Sequence, residues 1–267
     1  MSYFEKIFPL KLSDLLRTET LGRSVLAKES LSSTNTTASE MAKADIPEGL
    51  VVVADAQTGG LGRNGRSWFS PPERNLYFSL LLRPHCKPGI VPQLAIVAAL
   101  SLRNALHELC PDAPICVKWP NDLLCNESKL SGILCTMSCS GANVEYAVVG
   151  IGVNVNIASD EFPAEVNATS LQCLKGAPLD RTQVLASFLN AFEADYKTWL
   201  GKGNLTPFLP RWNECSCLEK KYVEVEQGKT LVAGIVEGIT PEGHLRLRDA
   251  SGSISLAYAG DAHVHRR

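Results

Sequence analysis

Gly60-Leu61-Gly62-Arg63-Asn64-Gly65 spells the G-x-G-x-x-G pattern of a dinucleotide-binding turn, yet the residues after it forbid that fold. A Rossmann unit needs a helix to open here, with its N-terminal amides facing a pyrophosphate. Instead the chain continues Ser67-Trp68-Phe69-Ser70-Pro71-Pro72 and then enters an apolar run over residues 76–82. Adjacent prolines cannot continue a helix, because each lacks a donor and clashes with the preceding turn. A kinase glycine loop also sits between strands, but neither H-R-D nor D-F-G follows, and there is no G-x-x-x-x-G-K-[ST]. What remains is a glycine loop between two strands, carrying Arg63 and Arg66, with Gln57 on the strand that enters it. Such a loop is either a plain turn or an anion site. Two guanidinium groups beside backbone bared by glycine suit the anion.

The flanking pattern alternates strands and helices. Thr37-Ala38-Ser39-Glu40 has capping-box spacing and predicts a helix that begins there and runs to about Ala44. Runs at 50–54 and 76–82 predict buried strands; apolar residues at 94, 97, 98, 102, 105, 106 and 109 predict a helix behind Pro92. Residues 115–119, 133–137 and 146–155 read as strands, and Leu185, Phe188, Leu189, Phe192, Tyr196 and Trp199 as one face of a long helix. After Trp212 short alternating runs at 222–225, 231–236, 245–247 and 254–257 are split by turn residues, which predicts a small antiparallel barrel. Residues 1–30 define no element. The expected division is therefore 1–217, with 1–30 a poorly defined extension, and 218–267.

Charge narrows the partners. Lys and Arg total 26 against 28 Asp and Glu, a net charge of −2, which argues against a chain that coats nucleic acid or anionic lipid but permits one charged pocket. The nine cysteines include no Cys-x-x-Cys pair. Cys116 and Cys135 sit in apolar runs as small hydrophobes, and Cys215-Ser216-Cys217 lacks third and fourth ligands. His85, His107, His244, His263 and His265 share no metal spacing. The apolar neighbourhood at 94–102 is far shorter than the roughly 20 residues that span a bilayer. No basic region leads into an apolar leader. The expectation is a reduced, cytoplasmic, soluble protein with no membrane segment.

Two further blocks place polar groups at strand ends, where sites are often built. Lys118-Trp119-Pro120-Asn121-Asp122 ends one strand and Lys129-Leu130-Ser131-Gly132 begins the next. Gly150-Ile151-Gly152-Val153-Asn154-Val155-Asn156 puts amides inside an apolar strand, which is costly unless each finds a partner. That partner is either a ligand or the fold itself. No G-x-S-x-G elbow and no Cys/His pairing stands out, which disfavours covalent catalysis.

These blocks, with Ser33-Thr34-Asn35, Asn75-Leu76-Tyr77-Phe78-Ser79-Leu80 and Ala168-Thr169-Ser170-Leu171, occur in one order along the chain. In that order they resemble the biotin protein ligase family over roughly residues 30–265. The resemblance implies an α+β fold, with a mixed sheet flanked by helices of the class II synthetase type, followed by a small SH3-like β-barrel. It implies that biotin and MgATP give biotinyl-5′-adenylate, whose biotinyl group passes to a lysine of a biotin carboxyl carrier domain of the acetyl-CoA carboxylase type.

Site roles follow by the same resemblance. Ser33, Thr34 and Gln57 match the residues that bond the biotin ureido ring, and Asn35 completes their motif. Arg63 and Lys129 match the pair on the carboxylate and α-phosphate, with Leu61 and Gly62 in the same biotin loop and Asp122 as a third catalytic candidate. Arg66, Lys118 and Asn121 fall to ATP; Trp68 stacks on adenine, and Asn154 and Ser170 read its edge. Magnesium arrives with the ATP phosphates, since no side-chain motif binds metal. Two departures stand out. Leu61 replaces the family's usual Arg or Lys, and the 32 residues before Ser33 are too few for the DNA-binding domain of members that also repress transcription. The expectation is a ligase-only member, monomer or homodimer, with no DNA partner. A lipoate–protein ligase and a non-catalytic biotin-binding regulator are the alternatives.

Overall fold

The structure is a computed structural model that describes residues 3–228 and 230–264. In chain order it forms α1 (Tyr3–Leu15), β1 (Ser24–Leu31), α2 (Thr34–Lys43), β2 (Leu50–Gln57), β3 (Leu76–Leu82), α3 (Gln93–Leu109), β4 (Ile115–Lys118), β5 (Asp122–Cys125), β6 (Ser128–Ser140) and β7 (Asn143–Val153). There follow α4 (Leu171–Lys175), α5 (Arg181–Lys202), α6 (Leu209–Cys215), β8 (Tyr222–Gln227), β9 (Thr230–Ile239), β10 (Leu245–Arg248), β11 (Ile254–Ala257) and β12 (Ala262–Val264).

The first seven strands make one mixed sheet in the order β1-β2-β3-β7-β6-β5-β4. Only β1 and β2 run parallel; the other ladders are antiparallel. Helices α1, α3 and α5 cover one face through the main core, which takes Val51, Val53, Phe78 and Leu80 from the sheet. Helix α2 covers the other, where Ala38 and Ala42 meet Val52, Leu81 and Val148. On α5, Phe188, Phe192, Tyr196 and Trp199 recur at helical spacing and stack ring on ring at 5.2, 5.9 and 6.1 Å. The Trp199 indole closes that row by donating to Gln93 of α3 at 2.8 Å.

Several boundaries correct the sequence reading. Residues 3–31 are not an undefined extension: Phe8, Leu12 and Leu16 of α1 and its exit are buried in the main core, and β1 is an edge strand of the sheet. Their signal is faint because Pro9 interrupts the helical text and the edge strand buries only Ala27. Helix α2 starts at Thr34, with Ser33 as N-cap, three residues before the capping-box spacing suggested. Strand β5, only four residues long, lies inside what reads as a polar loop. The stretch Pro88–Leu109 is long and apolar enough to cross a membrane by composition, more than the 94–102 run implied, but two-thirds of it is buried as a core helix.

The second sheet is five-stranded and antiparallel, in the order β11-β10-β9-β8-β12. Among the described residues β11 and β12 are its two outer strands, with no ladder recorded between them. It rests on the first sheet at separated points. Trp119 Nε1 donates to the Gly243 carbonyl at 3.0 Å, and the Cys217 amide donates to the Val117 carbonyl at 3.0 Å.

Candidate functional site

A cleft of about 720 Å³, counting space open to solvent, lies at the ends of β2, β5 and β6. Its floor is made by glycines. Gly132 of β6 and Gly152 of β7 face each other across the ladder, and Gly150 lies two residues from Gly152, hence on the same face. A side chain on any of them has no room. A Cβ on Gly132 would come within 2.8 Å of the Trp68 ring, a Cβ on Gly152 would overlap the same ring, and one on Gly150 would overlap Asn35. The Trp68 indole thus lies across the bare backbone of two strands, its Nε1 buried without a hydrogen-bond partner.

At one end, a polar network sets the first turn of α2. Gln57 Oε1 accepts from the Thr34 amide at 2.9 Å and the Thr34 hydroxyl at 3.2 Å, while Gln57 Nε2 donates to Ser70 at 3.1 Å. The Ser79 hydroxyl lies 2.8 Å from Thr34 Oγ1 and 2.6 Å from Asn35 Oδ1, and Asn35 Nδ2 donates to the Leu134 carbonyl. Ser33 makes no side-chain capping bond and lines the cavity.

The glycine loop forms the roof. The Trp68 amide donates to Gly60 at 2.9 Å, the Gly62 amide to Arg66 at 2.7 Å, and Leu61 bridges Ser67. Asn64 and Gly65 turn at φ 56° and 74°, in the left-handed region that Asn and Gly tolerate best. This compact hairpin presents Arg63 inward. Its Nη1 donates to Asn121 at 2.9 Å and to Asp261 at 3.1 Å, and its Nη2 to the Gly260 carbonyl at 3.1 Å. Arg66 reaches the other oxygen of Asp261 at 2.8 Å. On the floor side, Lys129 Nζ pairs with Asp122 Oδ2 at 2.8 Å and sits 5.4 Å from the centre of the Trp68 ring. Asp122 Oδ1 is buried with no partner. Three cations therefore face two carboxylates around the cavity, leaving it net positive.

The structure brings Ser33, Thr34, Asn35, Gln57, Leu61, Gly62, Arg63, Arg66, Trp68, Asn121, Asp122 and Lys129 to this one cavity. Lys118, Asn154 and Ser170 are not in its lining. Asn154 Nδ2 donates to the Lys129 carbonyl at 3.2 Å, bracing the strand that carries the lysine. Ser170 is fully buried as the N-cap of α4, accepting from the Cys173 amide and donating to Ile157. Asn156 is satisfied on both sides by the Leu179 backbone, so the fold itself partners that amide. Asp261 is the residue that sequence reading missed. No spacing could reveal it, because it comes from the turn before β12 and enters the site only through tertiary packing. The glycine floor was legible in principle, as Gly150 and Gly152 recur at strand period. Among the described residues no group of three His, Cys, Asp or Glu could hold a metal, and His265 lies outside them.

Residues 27–154, which span nearly all of the first sheet, match the model of the Biotin/lipoate A/B protein ligase family. The chain is 36% identical over 248 residues to the bifunctional ligase/repressor BirA of Bacillus spizizenii, covering 92% of this chain and 75% of that protein. It is 37% identical over 205 residues to the biotin–[acetyl-CoA-carboxylase] ligase of Paracoccus denitrificans, covering 75% of this chain and 85% of that one.

The chain belongs to the biotin protein ligase family.

It is a ligase. Its fold is that of the biotin protein ligase from Aquifex aeolicus solved in complex with biotin and ATP, at a TM-score of 0.76 and 29% identity, over 92% of this chain and 100% of that one. In this ligase the loop arginines, Lys129 and the glycine floor all fall within the matched residues 27–154, whereas Ser170 and Asp261 lie beyond them. Leu61 is half exposed at 52% and holds its place through the backbone bridge to Ser67.

Proposed function

We propose that this ligase joins biotin to ATP as biotinyl-5′-adenylate and then transfers the biotinyl group to a lysine of a biotin carboxyl carrier domain. The observation that carries this reading is the convergence of Arg63, Lys129 and Trp68 over a side-chain-free floor. Two anions must approach each other in the first step, the biotin carboxylate and the α-phosphate. Fixed cations in a partly dry cavity stabilise the charge that develops as the carboxylate oxygen attacks phosphorus and pyrophosphate departs. The Thr34–Gln57–Ser79 network and Ser33 supply donors and acceptors for a ureido ring. Trp68 supplies the aromatic face for adenine. Arg66 suits the departing phosphates. Lys118, Asn154 and Ser170 lie outside the cavity lining; Asn154 braces the Lys129 carbonyl and Ser170 caps α4.

The chain's donors suit magnesium that arrives on ATP, because a hard cation of this kind is bound by one or two carboxylates and substrate phosphates. Asp122, with one buried oxygen that lacks a partner, is the carboxylate that would serve that metal, the ribose or the incoming lysine ammonium. When bound, magnesium neutralises phosphate charge. In the second step the lysine amine attacks the carbonyl of the mixed anhydride and AMP leaves; no nucleophile of this chain is required.

Biotin-dependent exchange of labelled pyrophosphate into ATP, followed by transfer to a carrier domain, tests both steps. Exchange with biotin and label on one carrier lysine is the expected result. Exchange driven by lipoate instead, or binding of biotin without exchange, overturns the reading.

A further inference from the structure

Ser79 is fully buried in β3, among leucines and aromatic rings, and is not in the lining of the cavity. A hydroxyl left there without partners is costly, and the register shows what it serves. Ser79 pairs with Gly150 of β7, and Gly150 pairs with Leu134 of β6, so the three form one row across the sheet. Asn35 of α2 sits over that row. It fills the space that a Cβ on Gly150 would take, and its Nδ2 donates to the Leu134 carbonyl at 3.2 Å. That bond fixes which way the amide faces, so Asn35 Oδ1 meets Ser79 as an acceptor only.

One proton per hydroxyl fixes the direction of the remaining bonds. Ser79 has two close oxygens, Asn35 Oδ1 at 2.6 Å and Thr34 Oγ1 at 2.8 Å. Asn35 Oδ1 has no proton to give, so the Ser79 proton must lie in the 2.6 Å contact; otherwise lone pairs would face each other there. The Ser79–Thr34 contact is then filled by the Thr34 proton. For that proton Ser79 at 2.8 Å competes with Gln57 Oε1 at 3.2 Å, and Ser79 prevails, since only this choice puts a hydrogen in both of the shorter contacts. Gln57 is held the right way round by the Thr34 amide on Oε1 and by Ser70 on Nε2. The outcome is two oxygens, Thr34 Oγ1 and Gln57 Oε1, 3.2 Å apart on residues that line the cavity, each with a lone pair unspent.

We propose that Ser79 is a positioning residue for ligand specificity: by drawing the Thr34 proton away from Gln57, it sets this end of the cavity to accept N–H donors. The inference rests on the reading of this end as the site of the biotin ureido ring. A ureido N–H supplies the missing hydrogen. A ligand edge that carries only lone pairs sets them against two others, the kind of mismatch by which a hydrogen-bonding site rejects an analogue. Without Ser79 the Thr34 proton turns to Gln57, and the demand for a donor falls.

The test is calorimetric binding to the full-length chain, with biotin and with the two carbamate analogues in which one or the other ureido N–H is replaced by oxygen. Ser79→Ala should reduce the wild-type preference for biotin over the more poorly bound carbamate by about tenfold, the worth of one such hydrogen bond. Ser79→Cys keeps the shape but bonds weakly, and its preference should fall between the two. A merely structural role would weaken biotin and carbamates alike and leave the ratio unchanged. That result in a folded variant overturns the proposal, as does a wild type that binds biotin and both carbamates equally. Wild-type protein that binds no biotin at all overturns instead the ligand reading beneath it.

Discussion

Arg63 and Asp261 meet at 3.1 Å although 198 positions separate them in the chain. The carboxylate comes from the second sheet and the guanidinium from the loop that roofs the cavity in the first. Arg66 joins the same carboxylate, and Asn121 completes the grip on Arg63. The small sheet thus holds the roof of the site in place before any ligand arrives, an arrangement that lowers the ordering cost of binding.

Asp261→Asn should release that grip. The adenylate should leave about tenfold faster, equivalent to roughly 1.4 kcal/mol, with the melting temperature little changed because the pair is partly solvated. Rapid-dilution measurement of adenylate release checks this. An unchanged off-rate would reduce Asp261 to a surface ion pair.

Lys129→Ala should slow biotin-dependent pyrophosphate exchange by about 10²–10³-fold, the usual cost of removing one group that stabilises developing charge. The fold should survive, since the Lys129 backbone stays bridged to Ala168 and bonded to Asn154. Exchange at the wild-type rate with intact circular dichroism would remove Lys129 from the chemistry.

Gly152→Ala should displace the Trp68 ring, because the added methyl occupies the space the indole now fills. A rise of about tenfold in the KM for ATP is expected, or roughly 1.4 kcal/mol, with a red shift in tryptophan emission. Gly132→Ala should show the same effect more weakly, as its Cβ would meet the ring at 2.8 Å. Wild-type KM in both variants would mean that the floor need not be bare.

Leu61→Arg should slow adenylate release. The position is exposed, its backbone bridge to Ser67 does not depend on the side chain, and the new cation would face the same anions as Arg63. The gain should be about threefold to tenfold, that of a partly exposed charge pair. An identical off-rate would show that this side chain plays no part in retention.

Glu193 on α5 accepts three backbone N–H bonds, from Glu19, Thr20 and Leu21, at 2.7, 2.8 and 2.9 Å. Burial opposes its charge, but these bonds outweigh it and hold the carboxyl below the usual carboxylate range. The folded state therefore favours the ionised form. Its contribution is complete above the unfolded carboxylate value and is lost as pH falls through the depressed folded one. Glu193→Gln should cost about 2 kcal/mol at neutral pH, and urea midpoints of the two proteins should converge in acid. Parallel midpoints at every pH would contradict this.

The strands and helices that bury a continuous apolar face were readable from the sequence: 76–82, α3 and the aromatic row of α5 match their periodic text. The misses share a cause. α1 and β1 bury only alternate fragments, β5 is too short to show a period, and the start of α2 is fixed by contacts of Thr34 and Asn35 with β2 and β3 rather than by its capping box. At the site, Arg63 and Lys129 stood out by their place on the glycine loop and at a strand end, and Trp68 only through the family resemblance. Asp261 did not, since its role exists only where two sheets touch.

The second sheet grips the first at Trp119–Gly243, at Cys217–Val117 and at Arg63–Gly260. Only the last of these contacts is made by the roof hairpin, so a hairpin that lifts gives up its bonds to Gly260 and Asp261 while the other two points still join the sheets.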